Sequence, residues 1–189
     1  MSMELVFKIA DEEPEMEQIH ALNYETFVEE IPQHERNSEK RLVDKFHQEN
    51  TYLICLDSGK LLGMMAVRDK RPFSLDIKLD DLNSYLPESR SICEIRLLSI
   101  RQDRRGRKVL KGLFQLFAEL ARDRDYDLGI ISANPKQEKL YNRLGFKPFA
   151  HVVGDPGAEY QPMYFTWQSS SKFRKETKVL TSDFKNIHD

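Results

Sequence analysis

Residues 93–110 read CEIRLLSIRQDRRGRKVL, and this stretch decides the fold. The run from Cys93 to Ile100 is apolar enough for a buried strand, and the last residues begin a helix with an apolar stripe. Between them lies the basic turn, Arg104-Arg105-Gly106-Arg107-Lys108. A strand that enters a helix through such a turn leaves backbone N–H groups unpaired at the helix start, where the helix dipole also favours an anion. The stretch therefore predicts a strand, an anion-binding turn and a helix.

The whole chain has the size and composition of one globular domain. It has 189 residues, of which 40% are hydrophobic and 32% charged, and its formal net charge is −2. No apolar run approaches the ~20 residues that span a bilayer, and the acidic start is unlike a secretory signal. We therefore expect a cytoplasmic protein that does not contact membranes. We predict one domain over residues 1–168 and a polar extension or linker over 169–189, and the sequence leaves open whether the chain is part of a larger polypeptide.

Hydrophobic periodicity and turn residues predict the other elements. The expected strands are 5–9, 51–56, 61–67, 93–100, 127–132, 149–153 and 160–167. The expected helices run from Pro14 to about Glu30, from Ser38 to Phe46, for one turn around 79–85, from 109 to 121, and from Pro135 to Gly145. Because a helix separates strands 93–100 and 127–132, we expect these two strands to be parallel.

The cysteines and histidines do not indicate a disulfide or a metal site. Cys55 and Cys93 both lie in apolar runs, which favours buried, unpaired thiols. The five histidines are scattered without the spacing of metal ligands. We therefore expect no bound metal.

The order of these elements resembles that of a known superfamily. The segment Glu94–Gly106 is similar to the GNAT superfamily of acyl-CoA-dependent N-acyltransferases. Asn134-Pro135, Leu140-Tyr141 and Leu144-Gly145-Phe146 resemble the second signature of the same superfamily. The resemblance implies an α/β (α+β) fold with a mixed, twisted central sheet of about seven strands flanked by helices. It also implies transfer of an acyl group, acetyl or longer, from an acyl thioester to a small amine such as an amino acid.

The front half of the chain resembles one branch of that fold. Residues 24–30 (YETFVEE), 44–46 (DKF) and 71–73 (RPF) are similar in order to the autoinducer (acyl-homoserine-lactone) synthases and N-acyl amino acid synthases, and so is the late stretch 160–163 (YQPM). The arginine that usually precedes the Phe-Val element of this branch is missing. The resemblance implies a long-chain acyl donor, with acyl carrier protein as a candidate carrier beside coenzyme A.

The resemblance also implies which residues bind the cosubstrate, acetyl-CoA or a longer acyl-CoA. They are Leu98, Ser99, Ile100, Arg104, Arg105, Gly106, Arg107, Lys108, Val109 and Asn134. Lys108 and Leu110 stand where the superfamily has small residues. The basic turn could be only a solvated helix start, but cations at a helix N-terminus oppose the dipole, which favours an anionic ligand. Asn134 either hydrogen-bonds the pantetheine arm or caps the helix that begins at Pro135.

Acyl transfer to an amine needs a base, a polarised carbonyl and an acid for the departing thiolate. The resemblance implies Glu94 as the base and Tyr141 as the acid, with Arg96 and Phe27 in contact with substrate. Glu94 could instead form only a structural ion pair with Arg96, which lies on the same strand face. Tyr141 could instead be only an apolar anchor of its short helix.

Three functions are compatible with the sequence. We expect an N-acyltransferase acting on a small-molecule amine, and the first alternative is a non-catalytic acyl-CoA-binding regulatory domain. Nucleic-acid binding through the basic turn is the second alternative, which the slightly acidic chain argues against. The sequence is compatible with a homodimer.

Overall fold

The computed structural model describes residues 4–105 and 107–167. The strands of this part are β1 (Leu5–Ile9), β2 (Thr51–Asp57), β3 (Lys60–Arg68), β4 (Ile92–Ile100), β5 (Leu128–Ala133), β6 (Lys147–Pro148) and β7 (Gln161–Thr166). Its α-helices are α1 (Glu13–Tyr24), α2 (Ser74–Lys78), α3 (Leu82–Tyr85), α4 (Arg107–Asp123) and α5 (Glu138–Arg143). A π-helical turn, Glu25–Glu30, continues α1, and 3₁₀ turns cover His47–Glu49, Gln102–Arg104 and Pro135–Gln137.

The strands form one mixed sheet in the order β1-β2-β3-β4-β5-β7-β6. The pairs β1–β2, β2–β3, β5–β7 and β6–β7 are antiparallel, whereas β4 and β5 are parallel. The predicted α/β class, with seven strands flanked by helices, is confirmed. The predicted parallel pair is confirmed as well, and the helix between its strands is α4, as a parallel crossover requires.

The described residues belong to two compact units. Unit 1 contains those within Met1–Val67 and Leu97–Leu120, and unit 2 contains those within Arg68–Arg96 and Ala121–Asp189. The division inside β4 falls between Arg96 and Leu97, and Leu97 has a φ of +52°. A leucine seldom adopts this left-handed conformation, so the regular strand geometry is interrupted here. The register of β4 with β5 runs from Ile92 to Ile95, before this residue.

The core of unit 1 lies between α1 and the hairpin formed by β2 and β3. Ile19 and Leu22 of α1 are buried in one cluster with Tyr52, Ile54 and Met64 of the two strands. The hairpin was predicted, and its turn residues Ser58 and Gly59 both have positive φ, +51° and +79°. A two-residue hairpin turn of this kind matches the right-handed twist of the flanking strands.

The core of unit 2 lies between β5 and the excursion that follows β3. Phe73, Leu75 and Leu82 are buried against Leu128 and Ile130 of β5. The sequence predicted one helical turn around 79–85, and the excursion contains two short helices, α2 and α3. Helix α2 was missed because Pro72 and the acidic residues around it suggested an irregular loop.

The helix predicted from Ser38 to Phe46 is wrong, because this segment bonds to α1 and to its own side chains. The Leu42 N–H donates to the His20 carbonyl oxygen at 3.0 Å. The Asn37 side chain donates to the Arg41 carbonyl oxygen at 2.9 Å, and Lys40 has a φ of +52°. Backbone groups that a helix would pair internally are therefore used elsewhere. The first helix does run to Glu30 as predicted, but its last six residues are π-helical.

The strand predicted over Phe149–Val153 is also wrong. The strand before β7 is β6, and Val153 forms only an isolated bridge with Tyr160. Between these points the Ala150 carbonyl oxygen accepts a hydrogen bond from the Gln161 side chain at 2.8 Å, so a side chain replaces the backbone ladder.

Cys55 and Cys93 are buried and unpaired as expected, and burial raises the pKa of Cys55 to about 11. Gly145 follows α5 with a φ of +90°, which confirms it as the C-terminal glycine of that helix. Within the described ranges, no helix combines the length and the apolar character that crossing a membrane requires. The extension 169–189 lies outside the described residues, and the one-domain assignment stays a prediction.

Candidate active site

Glu94, the predicted base, is fully buried on β4 in unit 2. Its carboxylate accepts hydrogen bonds from the Ser74 N–H at 2.9 and 3.1 Å, and from the Ser74 hydroxyl. The Arg96 guanidinium lies 3.4 Å from the second carboxylate oxygen. These donors compensate the burial of a charge, which would otherwise be costly.

The turn before α2 presents Ser74 to this carboxylate. The Phe73 N–H donates to an Asp76 carboxylate oxygen at 2.7 Å, and Arg71 pairs with the same side chain. The Arg68 guanidinium donates to the Pro72 carbonyl oxygen at 3.1 Å. Ser74 is the first residue of α2, where a backbone N–H has no partner within the helix and is free to bind a carboxylate.

Arg96 is brought to Glu94 as the strand alternation predicted. Its side chain is 11% exposed, so the guanidinium is largely shielded from water. The ion pair of the structural interpretation is therefore present. The catalytic role of Glu94 and the substrate contact of Arg96 stay predictions.

Sequence analysis assigned no role to Lys78 of α2, a further cation of unit 2. Its ammonium lies 3.3 Å from the Ser132 hydroxyl and 3.8 Å from the ring centroid of Tyr160. Lys78 follows Ser74 by four residues in α2, and this spacing places both on one helix face. The spacing is visible in the sequence but has meaning only once α2 is known to be a helix.

Tyr141, the predicted acid, is buried in α5 with its ring against Phe146. Burial raises the pKa of its phenol to about 12, so the group stays protonated near neutral pH. Among the described residues, the Tyr141 hydroxyl has no hydrogen-bond partner. The aromatic contact supports the anchoring role, and the unpaired hydroxyl is compatible with the acid role.

Asn134 caps the helical turn that follows β5. Its side-chain oxygen accepts a hydrogen bond from the Lys136 N–H at 3.0 Å, and Pro135 occupies the first position of the turn. The capping interpretation is confirmed. Contact with a pantetheine arm stays a prediction.

The basic turn lies in unit 1, and two of its arginines are partly neutralised there. Arg105 forms an ion pair with Glu30 and donates to the Ile100 carbonyl oxygen at 3.3 Å. The hydrogen bond from Arg105 lowers the pKa of Glu30, and partial burial opposes this effect. Arg104 lies 3.5 Å from Asp103. Sequence reasoning did not detect the partner Glu30, which is 75 residues away along the chain.

The other residues of the predicted pyrophosphate seat differ in exposure. Lys108 is exposed in the first turn of α4, and no described residue forms an ion pair with it. Arg107 begins α4, but its side chain lies outside the described residues, as does all of Gly106. Val109 is buried.

The end of β4 approaches β3 closely. A Cβ atom on Gly63 would lie 2.9 Å from Val109 and 3.1 Å from Ile100, so a larger residue there would require these side chains to shift. Ser99 is 2% exposed, and its hydroxyl has no partner among the described residues. Leu98 is half-buried.

Phe27, the second predicted substrate contact, is half-buried in the π-helical turn Glu25–Glu30. The sequence predicted an ordinary helix there. Single π-helical turns are frequently found at functional sites, and Glu30 of the same turn holds Arg105.

Three acidic side chains of unit 1, those of Asp11, Glu12 and Glu15, have carboxylate oxygens within 4.8 Å of one another. The Lys8 ammonium lies 2.6, 3.6 and 2.8 Å from them, respectively. The lysine therefore already neutralises part of their charge.

The chain matches one protein-family model. Residues 18–166 match the model described as N-acyl amino acid synthase FeeM. The match begins within α1 and covers the basic turn, Tyr141 and all of β7. No curated protein sequence matches the chain.

Solved structures share the fold. FeeM, an N-acyl amino acid synthase from uncultured soil microbes, has a TM-score of 0.71 and 15% identity, over 96% of this chain and 99% of FeeM. BjaI, a CoA-dependent acyl-homoserine lactone synthase solved with SAM and isopentyl-CoA, has a TM-score of 0.72 and 20% identity, over 90% of this chain and 82% of BjaI. An acyl-CoA N-acyltransferase from Pseudomonas aeruginosa has a TM-score of 0.60 and 17% identity, over 87% of this chain and 100% of that protein. At these identities the likeness establishes the fold alone.

Proposed function

The chain belongs to the FeeM family of N-acyl amino acid synthases, and from this premise we propose that it joins an acyl group to the amino group of an amino acid. Acyl transfer from a thioester to an amine is the activity of the family, which favours an enzyme over a non-catalytic acyl-CoA-binding domain.

The Glu94–Arg96 pair is the observation that carries the proposal. An amino acid has an amine and a carboxylate separated by one carbon atom. A carboxylate and a guanidinium 3.4 Å apart provide one partner for each of these groups. Arg96 binds the acceptor carboxylate, for which its planar fork of donors is suited, and Glu94 receives the proton of the acceptor amine.

Tyr141 is the proposed acid for the departing thiolate. Its hydroxyl has no partner among the described residues, and its phenol keeps the proton near neutral pH because its pKa is about 12. A group that remains protonated can donate to a sulfur that gains negative charge as the C–S bond breaks.

The acyl donor is proposed to be an acyl-CoA or an acyl carrier protein. Both carry phosphate, the group that the cations of the basic turn and the unpaired N–H groups of the α4 start are suited to bind. By resemblance, residues 98–100 and Val109 are assigned to binding of the cosubstrate, Asn134 to its pantetheine arm, and Phe27 to the substrate. A cytoplasmic location and a homodimer stay predictions.

Acceptors with and without a carboxylate test the proposal. Purified protein is mixed with acyl-CoA of several chain lengths and with amino acids, their carboxamides or simple amines, and thiol release is followed. We expect amino acids to react at least tenfold faster than the carboxamides, because only they pair with Arg96. Equal rates for both acceptor classes, or no thiol release with any pair, would contradict the proposal.

Two arginine variants give a matched comparison. Arg96→Lys should raise KM for amino acids about tenfold and leave KM for the carboxamides unchanged, because a lysine keeps the charge but loses the fork. Arg124→Lys is the control, since Arg124 pairs at 3.0 Å with Asp69 in the same unit and has no proposed role. A KM increase for both acceptor classes in Arg96→Lys would indicate a structural effect.

A further inference from the structure

A fully buried base needs a path for the proton that it receives. Glu94 is 0% exposed, whereas Ser74, which donates to it through both its N–H and its hydroxyl, is only half-buried. Ser74 therefore links Glu94 to the surface of unit 2, and, unlike the guanidinium of the similarly half-buried Arg96, its hydroxyl can both donate and accept a proton. Sequence analysis assigned Ser74 no role.

The Ser74 hydroxyl is oriented for such a path. A serine hydroxyl has one proton and two acceptor lone pairs. The proton is directed to Glu94 Oε1, so the lone pairs remain for another donor. No described residue donates to the Ser74 oxygen, which leaves that position open to an amine.

The backbone around Ser74 keeps the hydroxyl in place. Its N–H is shared between both carboxylate oxygens, and Asp76 holds the preceding N–H of Phe73 at 2.7 Å. Phe73 is itself 2% exposed, packed in the core of unit 2. A hydroxyl carried on a backbone held by these hydrogen bonds is already in position for transfer, which lowers the entropic cost of the step.

We propose that the Ser74 hydroxyl relays the proton of the acceptor amine to the buried Glu94. The relay rests on the proposed function, in which Glu94 is the base. Ser74 then touches the reacting nitrogen and is a catalytic residue, in addition to its structural bonds with Glu94.

The amine nitrogen forms a bond with the thioester carbonyl carbon, and the C–S bond breaks. One N–H proton passes to Ser74 Oγ while the hydroxyl proton of Ser74 passes to Glu94 Oε1. The sulfur leaves as a thiolate and accepts a proton from Tyr141. Glu94 returns its proton through Ser74 to water as the amide product departs, and water reprotonates Tyr141.

A series of Ser74 variants tests the relay with the full chain, an acyl-CoA and an amino acid acceptor. Ser74→Ala removes the hydroxyl and should lower kcat about 10²-fold, with KM for both substrates changed less than threefold. Ser74→Thr keeps a hydroxyl and should retain at least one third of the wild-type kcat. Ser74→Cys carries a weak S–H donor, so its kcat should lie between those of the Ala and Thr variants.

Ser84→Ala is the matched control. Ser84 is exposed in α3 of the same excursion, and its hydroxyl donates to the Asp81 carbonyl oxygen at 2.8 Å, away from Glu94. Loss of this hydroxyl should leave kcat within twofold of wild type. Thermal unfolding of each variant shows whether it is folded. If Ser74→Ala is not folded, the kcat of Ser74→Cys relative to Ser74→Thr tests the relay.

The outcomes separate the relay from the proposed function. Wild-type activity with the order Thr above Cys above Ala in kcat supports the relay. An active wild type with a Ser74→Ala variant of unchanged kcat would overturn the relay and leave the N-acyltransferase assignment intact. A wild type that releases no thiol with any donor and amine would overturn both.

Discussion

Tyr141 is a very weak acid in its buried position. Its pKa of about 12 exceeds the value of roughly 8.5 of a free thiol, and the gap corresponds to about 5 kcal/mol against complete proton transfer to a thiolate. In the acid role proposed for it, Tyr141 would therefore stabilise the departing sulfur mainly by a hydrogen bond and release its proton late. This partial transfer still assists bond cleavage, because the donor acts where negative charge develops.

A pair of tyrosine variants isolates this role. Tyr141→Phe keeps the ring contact with Phe146 and removes a hydroxyl that has no described partner, so we expect a 10- to 100-fold lower kcat and an almost unchanged melting temperature. Tyr126→Phe is the control, because the Tyr126 hydroxyl donates to Asp69 at 2.6 Å in the same unit. That variant should lose about 1–2 kcal/mol of unfolding free energy and keep its kcat. Equal kcat values for the two variants would contradict an acid role for Tyr141.

Whether the side-chain contact of a residue could be predicted depended on how far away its partner lies in the sequence. The Glu94–Arg96 pair was expected because its members are two positions apart, on one strand face. The bond of Ser74 to Glu94 spans 20 residues, and that of Arg105 to Glu30 spans 75. Pairing between distant residues leaves no periodic signal, so the chain alone could not indicate either contact.

At the scale of elements, a chain of polar side chains fastens the segment after the π-helical turn to α1. Arg41, held by Glu17 at 2.7 Å, contacts His20 Nδ1 at 3.3 Å. A guanidinium has no acceptor, so this nitrogen carries no proton and the neutral His20 ring is protonated at Nε2. That N–H donates to His47 Nδ1 at 3.4 Å, and the Tyr52 hydroxyl lies 3.1 Å from the same nitrogen. A second proton on His20 would sit on Nδ1, where it would face the N–H donor of the Arg41 guanidinium.

This arrangement predicts acid sensitivity. Burial, with the neighbouring His47 and Arg41, lowers the pKa of His20, while Glu17 and Glu13 oppose this shift. The unfolded chain therefore binds a proton at His20 at higher pH than the folded protein, and unfolding becomes easier as the pH falls below about 6.5. The contribution of the neutral His20 ring to the free energy of unfolding is fully present above that pH.

Thermal unfolding at pH 7.5 and 5.5 measures this effect. From pH 7.5 to pH 5.5, the melting temperature of the wild type should fall more than that of His20→Gln, which has no titratable ring. His34→Gln, at an exposed position, is the control and should behave like the wild type. An equal loss in wild type and His20→Gln would show that the acid sensitivity arises elsewhere.

Elements with local signals were predicted well. The β2–β3 hairpin has turn residues suited to positive φ, and α4 has an apolar stripe that recurs at helical spacing. The segment 38–46 has an N-cap serine and apolar residues at similar spacing, but its hydrogen bonds go to α1. Tertiary bonds of this kind override local propensity, and a single sequence does not reveal them.

At the scale of the whole molecule, the order of elements carried most of the functional information. The parallel β4–β5 pair, the crossover α4 and the Asn134–Gly145 region were all predicted, and with them the superfamily. The family match over residues 18–166 also confirms the N-acyl amino acid synthase branch that the front half of the sequence suggested. The polar contacts of Ser74 and Lys78 depend on how the excursion packs on β5, which required the structure.

The central claim is that the chain makes an amide from an acyl thioester and an amino acid. Mass spectrometry of a reaction with acyl-CoA and a ¹⁵N-labelled amino acid, with thiol release measured in the same sample, tests it most directly. The account predicts one N-acylated, ¹⁵N-containing product for each thiol released, and a large decrease of both in Tyr141→Phe. Thiol release without a labelled amide, which is thioester hydrolysis, or no thiol release with any donor, would contradict it.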